Sequence, residues 1–237
     1  MIEINGLHGV PQISEPGYLP KILVETIKKE NFTIAEGDVL CVASKLCSIA
    51  EGNVIELGQV RPSVLAQKIH AQIPRKDARL IQVVIDQTGD PTGNSLEIAD
   101  NYLGAWLSSG LFLTSGGVDK GQGDTVITLP QDCDRSAREI RAAIFAELGI
   151  RTSVIITDSD GRVDKKGATQ VAIGLSGLSG LRVNEHTHTS ETLCDLLAAA
   201  AGLVMGQRGV NIPLVCIHGL DYEKSLECGI GDVVNGR

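Results

Sequence analysis

The feature that most constrains the fold is a series of short apolar runs rich in Val and Ile, interleaved with segments of helical periodicity. Seven runs read as strands: DVLCVAS from Asp38, LIQVVI from Leu80, LFLT from Leu111, DTVITL from Asp124, TSVIIT from Thr152, TQVAIGL from Thr169 and PLVCIHG from Pro213. Branched side chains at this density suit pleated surfaces covered by helices. Four segments read as helices: 19–29, 63–72, 135–148 and 191–205. In the third, Ile140, Ile144 and Leu148 recur on one face, Asp134 or Ser136 can cap the start, and Gly149 can end it. The fourth carries LLAAAAGLVMG, whose small side chains allow close packing inside the chain or across a dimer. The polar stretches 86–103 and 182–192 read as irregular connections. The expectation is a mixed α/β (α+β) fold over residues 1–237, as one domain with two interleaved lobes as an option.

Composition narrows the function. Aromatic residues are only 3% of the chain, so Val, Ile, Leu and Ala must build the core. A formal net charge of -8 argues against nucleic-acid binding through overall positive potential. It leaves room for a small anionic ligand held by a few local cations. The six cysteines form no CxxC pair and read as buried free thiols of a reducing compartment. MIEINGLHGVP lacks the pattern of a signal peptide, and no apolar stretch is long enough to cross a bilayer. The expected location is the cytoplasm. GxSxG, GxxxxGK[ST] and a GxGxxG after a strand are all absent.

Four segments can carry chemistry. TSGGVDKGQGD (114–124) can bring backbone N–H groups and the Asp119 carboxylate to a ligand, with Gln122 beside it; a plain glycine-rich hairpin is the alternative. VIITDSDGR (154–162) reads as a buried strand ending in a turn at Asp158, Ser159 and Asp160. Carboxylate and hydroxyl oxygens there suit a hard cation such as Mg²⁺ or Mn²⁺. Arg162, Lys165 and Lys166 follow and can meet anionic groups, although an ordinary turn with a solvated basic run explains them equally. LVMGQRGVNIP (203–213) places Gln207 and Arg208 between glycines, in a nucleotide-hugging loop or a simple helix end. In CVASKLCSIAEGN (41–53), Lys45 is either a phosphate ligand or a snorkelling surface residue. His186 and His188 have the spacing that puts both on one face of a strand, a second metal option against two solvated side chains.

These segments, in this order, resemble the coenzyme F-420:L-glutamate ligase family. GLHGVPQISEPGYL, GDVLCVASKLCSIAEG, RPSVLAQKIH, GGVDKGQGD, LPQDCDRSAREIR, VIITDSDGR, VAIGLSGL and LLAAAAGLVMGQRGVNIP carry the resemblance over most of the chain. It implies a GTP- and divalent-metal-dependent amide ligase, adding L-glutamate to a carboxylate acceptor, coenzyme F-420-0, through an acyl phosphate. By resemblance the metal positions (Mg²⁺ or Mn²⁺, with K⁺ as a further option) are Asp119, Asp158, Ser159 and Gln207. The nucleotide-contacting positions are Val10, Pro11, Gln12, Ile13, Ser44, Lys45, Gln122, Met205, Gly206, Gln207, Arg208, Gly209, Val210, Asn211 and Ile212. Asp119, Asp158 and Lys45 stand as the catalytic candidates. The implied fold has interlocked lobes and mixed sheets, in a homodimer that works on small molecules.

The chain departs from the family pattern in several places. Ile49 stands where a lysine is usual, and Asp164 and Lys165 replace an apolar or aromatic residue and an Arg. The polar segment between VAIG and the Ala-rich helix is short, SGLSGLRVNEHTHTSETLCD. A folate-type γ-glutamyl acceptor and a non-catalytic nucleotide-binding relative are the alternatives these departures raise.

Overall fold

The computed structural model describes residues 1–99, 102–206 and 212–235. In chain order its strands and helices are β1 (Glu3–Gly6), α1 (Leu19–Lys29), β2 (Val39–Ala43), α2 (Ser44–Ala50), β3 (Val54–Glu56), α3 (Val64–Gln72), α4 (Ala78–Thr88), β4 (Leu96–Ala99), β5 (Tyr102–Trp106) and β6 (Phe112–Thr114). Then follow β7 (Asp119–Lys120), β8 (Thr125–Ile127), α5 (Cys133–Leu148), β9 (Ser153–Gly161), β10 (Ala168–Ser176), β11 (Arg182–Val183), β12 (Ser190–Glu191), α6 (Leu193–Met205) and β13 (Leu214–His218).

A five-stranded sheet in the order β1-β13-β2-β9-β10 forms the centre. Only β2 and β9 run parallel; the other neighbours are antiparallel, so the sheet is mixed as expected. Successive side chains of a strand alternate in direction, and here they feed two cores. Leu40, Val42, Val154 and Ile156 pack with α1, α2 and α5, while Val39, Cys41 and Ile155 pack with α6. Burial on both faces explains why these strands read as continuous apolar runs. A third core joins α3, α4, β5 and β8. The smaller sheets are β3-β8-β7, β4-β5-β6 and the hairpin β11-β12.

The chain needs glycine where α5 meets β10. A Cβ on Gly174 would lie 2.4 Å from Cys133 Cβ and 2.5 Å from its carbonyl carbon, so only glycine lets the helix start come this close. The register shift between Ala172 and Gly174 falls at the same point.

Several expectations are corrected. LIQVVI is not a strand but the middle of helix α4, capped by the Asp77 side chain and closed by Gly89 at φ 68°. Ile81, Val84, Ile85 and Thr88 fall on its buried face at helical spacing. Helix α5 is capped by Asp132, whose Oδ1 accepts from Arg135 N at 2.7 Å, rather than by Asp134 or Ser136. Asp134 instead accepts from the backbone N–H groups of Leu175 and Ile230. Segment 86–103 ends α4 and opens β4 and β5 instead of forming one long loop. The 182–192 stretch holds the short hairpin β11-β12. His186 and His188 sit exposed in its turn, not on a strand face.

Candidate functional site

Strand register builds the site. Parallel pairing of β2 with β9 sets Ala43 opposite Thr157. The next residue on each strand is therefore a neighbour, and Ser44 Oγ donates to Asp158 Oδ1 at 2.7 Å. Asp158 is not in a turn, as its sequence suggests. Strand β9 continues through it to Gly161, pairing with β10, and Asp158 is 8% exposed. Ser159 follows on the exposed side. Asp160 Oδ1 accepts from Thr114 N at 2.7 Å, which ties β9 to β6.

Burial dominates the ionisation of Asp158. It pushes the carboxyl up to about 6, and the negative charges of Asp119 and Asp160 push the same way against the stabilising Ser44 hydrogen bond. Asp119 and Asp160 are thus close enough to Asp158 for their charges to be felt there.

Asp119 sits on β7, opposite Ile127 of β8, in the hairpin that the glycine-rich segment forms. Its Oδ2 lies 3.7 Å from Lys45 Nζ, and Lys45 also donates to Lys120 O at 3.4 Å. Lys45 is the second residue of α2, so one short helix presents both Ser44 and Lys45. The lysine is about half exposed and paired with an acid, between the two readings its sequence allows.

Beside these groups opens a cavity of about 720 Å³. One wall is the loop Val10, Pro11, Gln12, Ile13 and Ser14. A second is Ala43, Lys45, Leu46 and Ile49 of β2 and α2. A third is Val54, Glu56, Lys120, Gly121, Gln122, Thr125 and Ile127 of the β3-β8-β7 sheet, with Pro213 beside them. Its size is that of a cofactor or nucleotide pocket. Six of the residues singled out in the sequence, Val10, Pro11, Gln12, Ile13, Lys45 and Gln122, line it together.

Other expected residues lie elsewhere. Met205 and Ile212 are buried in the core on the α6 side, where Thr157 Oγ1 donates to Met205 Sδ at 3.7 Å. Gly206 ends α6. Gln207, Arg208, Gly209, Val210 and Asn211 fall outside the described residues. Sequence reading missed β3, because a strand of three residues gives almost no periodic signal, and it read β8 in DTVITL as a strand without placing it at the site. It also missed Thr114 as the partner of Asp160.

The donor set suits a hard divalent cation. Asp158, Asp119 and Ser159 offer oxygens only, and a dication offsets the burial cost and the repulsion that together raise Asp158. Among the described residues no helix is long and apolar enough to cross a membrane.

Comparison with known proteins bears on all of this. The family model described as F420-0:Gamma-glutamyl ligase matches residues 9–219. A protein named coenzyme F420:L-glutamate ligase from Methanopyrus kandleri is 35% identical over 205 residues, covering 82% of this chain and 79% of the relative. Its namesake from Methanococcus maripaludis is 34% identical over 227 residues, covering 92% and 88%. The one from Archaeoglobus fulgidus is 30% identical over 239 aligned positions, covering 95% and 92%. The family match spans the loop at Val10, both carboxylate strands and four of the five strands of the central sheet, so the chain belongs to the F420-0:gamma-glutamyl ligase family, a family of enzymes that form C–N bonds.

Proposed function

We propose that this protein is a GTP- and divalent-metal-dependent ligase that joins L-glutamate to coenzyme F420-0 through an acyl phosphate. The observation that carries the reading is that one short helix brings Ser44 to Asp158 and Lys45 to Asp119, with Lys45 lining a nucleotide-sized cavity beside Val10 to Ile13 and Gln122.

The residues divide the work. The loop at Val10 to Ile13 and the Gln122 amide grip the nucleotide, with Ile49, Val54 and Ile127 supplying apolar walls. Lys45 is a point cation at the cavity edge, suited to the charge on transferring phosphate oxygens. Asp119, Asp158 and Ser159 would hold Mg²⁺ or Mn²⁺, with Gln207 as a further donor and K⁺ as an additional cation. Such an ion supplies neutralisation of phosphate charge as the γ-phosphoryl group moves. Ser44 keeps the Asp158 carboxylate in one orientation. The acceptor carboxylate takes the γ-phosphoryl group, GDP leaves, and the glutamate amine then attacks the acyl carbon and expels phosphate. The enzyme acts in the cytoplasm as a homodimer.

Isothermal titration with GTP, with and without Mn²⁺ or Mg²⁺ and with ATP as control, tests the nucleotide site. Metal-dependent, guanine-selective binding is expected. GDP release that needs both glutamate and F420-0 tests the reaction. Release with a folate-type acceptor instead would move the substrate assignment, and nucleotide binding without turnover under any condition would mark a non-catalytic relative.

A further inference from the structure

A second cluster of chemistry-bearing side chains lies at the opposite end of β2. Antiparallel pairing of β13 with β2 sets Ile217 across from Val39. The next residues therefore meet, and His218 Nδ1 lies 2.7 Å from Asp38 Oδ2. Cys216, two residues earlier on β13, brings its Sγ to 3.5 Å from the same oxygen and 3.9 Å from Nδ1. Cys216 is fully buried, Asp38 is 4% exposed, and the His218 side chain is 17% exposed. Among the described residues, this is the group of His, Cys and acidic side chains whose ligand atoms all lie within 4.8 Å of one another.

We infer that Asp38, Cys216 and His218 form a zinc site that pins the start of β2 to the end of β13, separate from the oxygen-lined candidate centre. Zinc holds sulfur at about 2.3 Å and nitrogen or oxygen at about 2.0 Å, which in a tetrahedron spaces the ligand atoms about 3.3–3.6 Å apart. The separations of 2.7, 3.5 and 3.9 Å bracket that range. Closing on a metal needs side-chain shifts of about half an ångström. A thiolate with an imidazole selects zinc over Mg²⁺ or Mn²⁺. Three protein ligands leave a fourth position, which water reaches past the partly exposed His218. On binding, the thiol proton goes to solvent and the proton between His218 Nδ1 and Asp38 leaves that contact, so that the imidazole stands neutral with its proton on Nε2 while Nδ1 takes the metal. The Ala35 N–H, 2.6 Å from Asp38 Oδ2, stays on the carboxylate and orients it. The competing account is a cluster closed by protons alone.

The test adds Co²⁺ to the metal-free full chain and follows its optical spectrum. One equivalent is expected to bind with a thiolate-to-cobalt charge-transfer band and the visible bands of a tetrahedral ion, all displaced by Zn²⁺. A metal at Asp119 and Asp158 has no sulfur donor and gives no such band, so the two sites fail or succeed separately. Cys216→Ala should remove the charge-transfer band, and His218→Gln should weaken zinc binding more than about a hundredfold. X-ray absorption of the unmodified chain loaded with one Zn²⁺ needs no variant to fold, and one sulfur among four ligands is the expected shell. No thiolate band at excess Co²⁺, a band that survives both substitutions, or a zinc shell without a single sulfur overturns the site.

Discussion

The two ends of β2 each bury a carboxylate, and they treat it in opposite ways. At the Asp38 end every polar partner turns inward: the Ala35 N–H, His218 Nδ1 and Cys216 Sγ all converge on one oxygen. At the far end, about 20 Å along the strand, Asp158 has the Ser44 hydroxyl on one oxygen and faces the like charges of Asp119 and Asp160. The first cluster mixes sulfur, nitrogen and oxygen. The second is all oxygen and adjoins a cavity. A buried charge surrounded by donors holds the fold together. One left against other charges is costly to the fold alone, and that cost marks the end where a ligand is expected.

Activity should show the largest difference between the ends. Asp158→Ala is expected to lower glutamate-dependent GDP release by more than about a hundredfold while the circular-dichroism spectrum and the urea midpoint do not fall. Asp119→Ala should do the same. Full activity in either variant would remove the carboxylate cluster from the mechanism.

Stability should then separate the ends by sign. Asp38→Ala strands the Ala35 N–H and the His218 ring in a buried place, and should cost roughly 2–3 kcal/mol in urea unfolding of the metal-free chain. Asp158→Asn should raise stability instead. If both substitutions destabilise equally, the contrast drawn between the two carboxylates is wrong.

The pH dependence follows from the same contrast. Asp158 has a folded-state pKa of about 6, above the ordinary 3.8. The folded state therefore binds this proton more tightly than the unfolded one. The contribution of this group is most favourable below about pH 4 and is lost as pH rises through 6. In metal-free protein it should amount to about 2 kcal/mol between pH 4 and pH 7. The measurement is urea unfolding of wild type against Asp158→Asn across that window. The difference between them should grow with pH, and should shrink again on adding Mn²⁺.

Much of this was legible in the sequence, and the failures have physical causes. Helix α1 and the central strands β2, β9, β10 and β13 were readable because burial on one or both faces imposes a pattern. LIQVVI misled because its five apolar residues satisfy a buried strand and a helix face alike. Asp77 and Gly89 at its ends were the deciding signals. Asp158 and Asp119 were found as residues, but the turn read at Asp158 is strand, since the Asp and Gly that suggest a turn sit at strand positions of β9. The loop at Val10 to Ile13 came from resemblance alone, because nothing in its composition says that it faces α2 across a cavity. Asp38 and Cys216 are 178 residues apart, so only the β13–β2 register reveals that they meet.

Lys45 gives the smallest expected effect and the sharpest check on the nucleotide side. Its pair with Asp119 spans 3.7 Å with both side chains about half exposed. Such a pair contributes less than about 1 kcal/mol to folding, since water and salt screen it and two long side chains must be ordered. Lys45→Ala should therefore leave the urea midpoint almost unchanged, in contrast to Asp38→Ala. Its loss should appear instead as roughly tenfold weaker GTP binding in titration calorimetry, where one charge-assisted phosphate contact is missing. The affinity difference between Lys45→Ala and wild type should narrow as salt is raised, because the contact lies at the open edge of the cavity. Equal affinity for GTP at low salt would mean that the lysine only pairs with Asp119, and the phosphate end of the nucleotide would have to be placed elsewhere along the cavity.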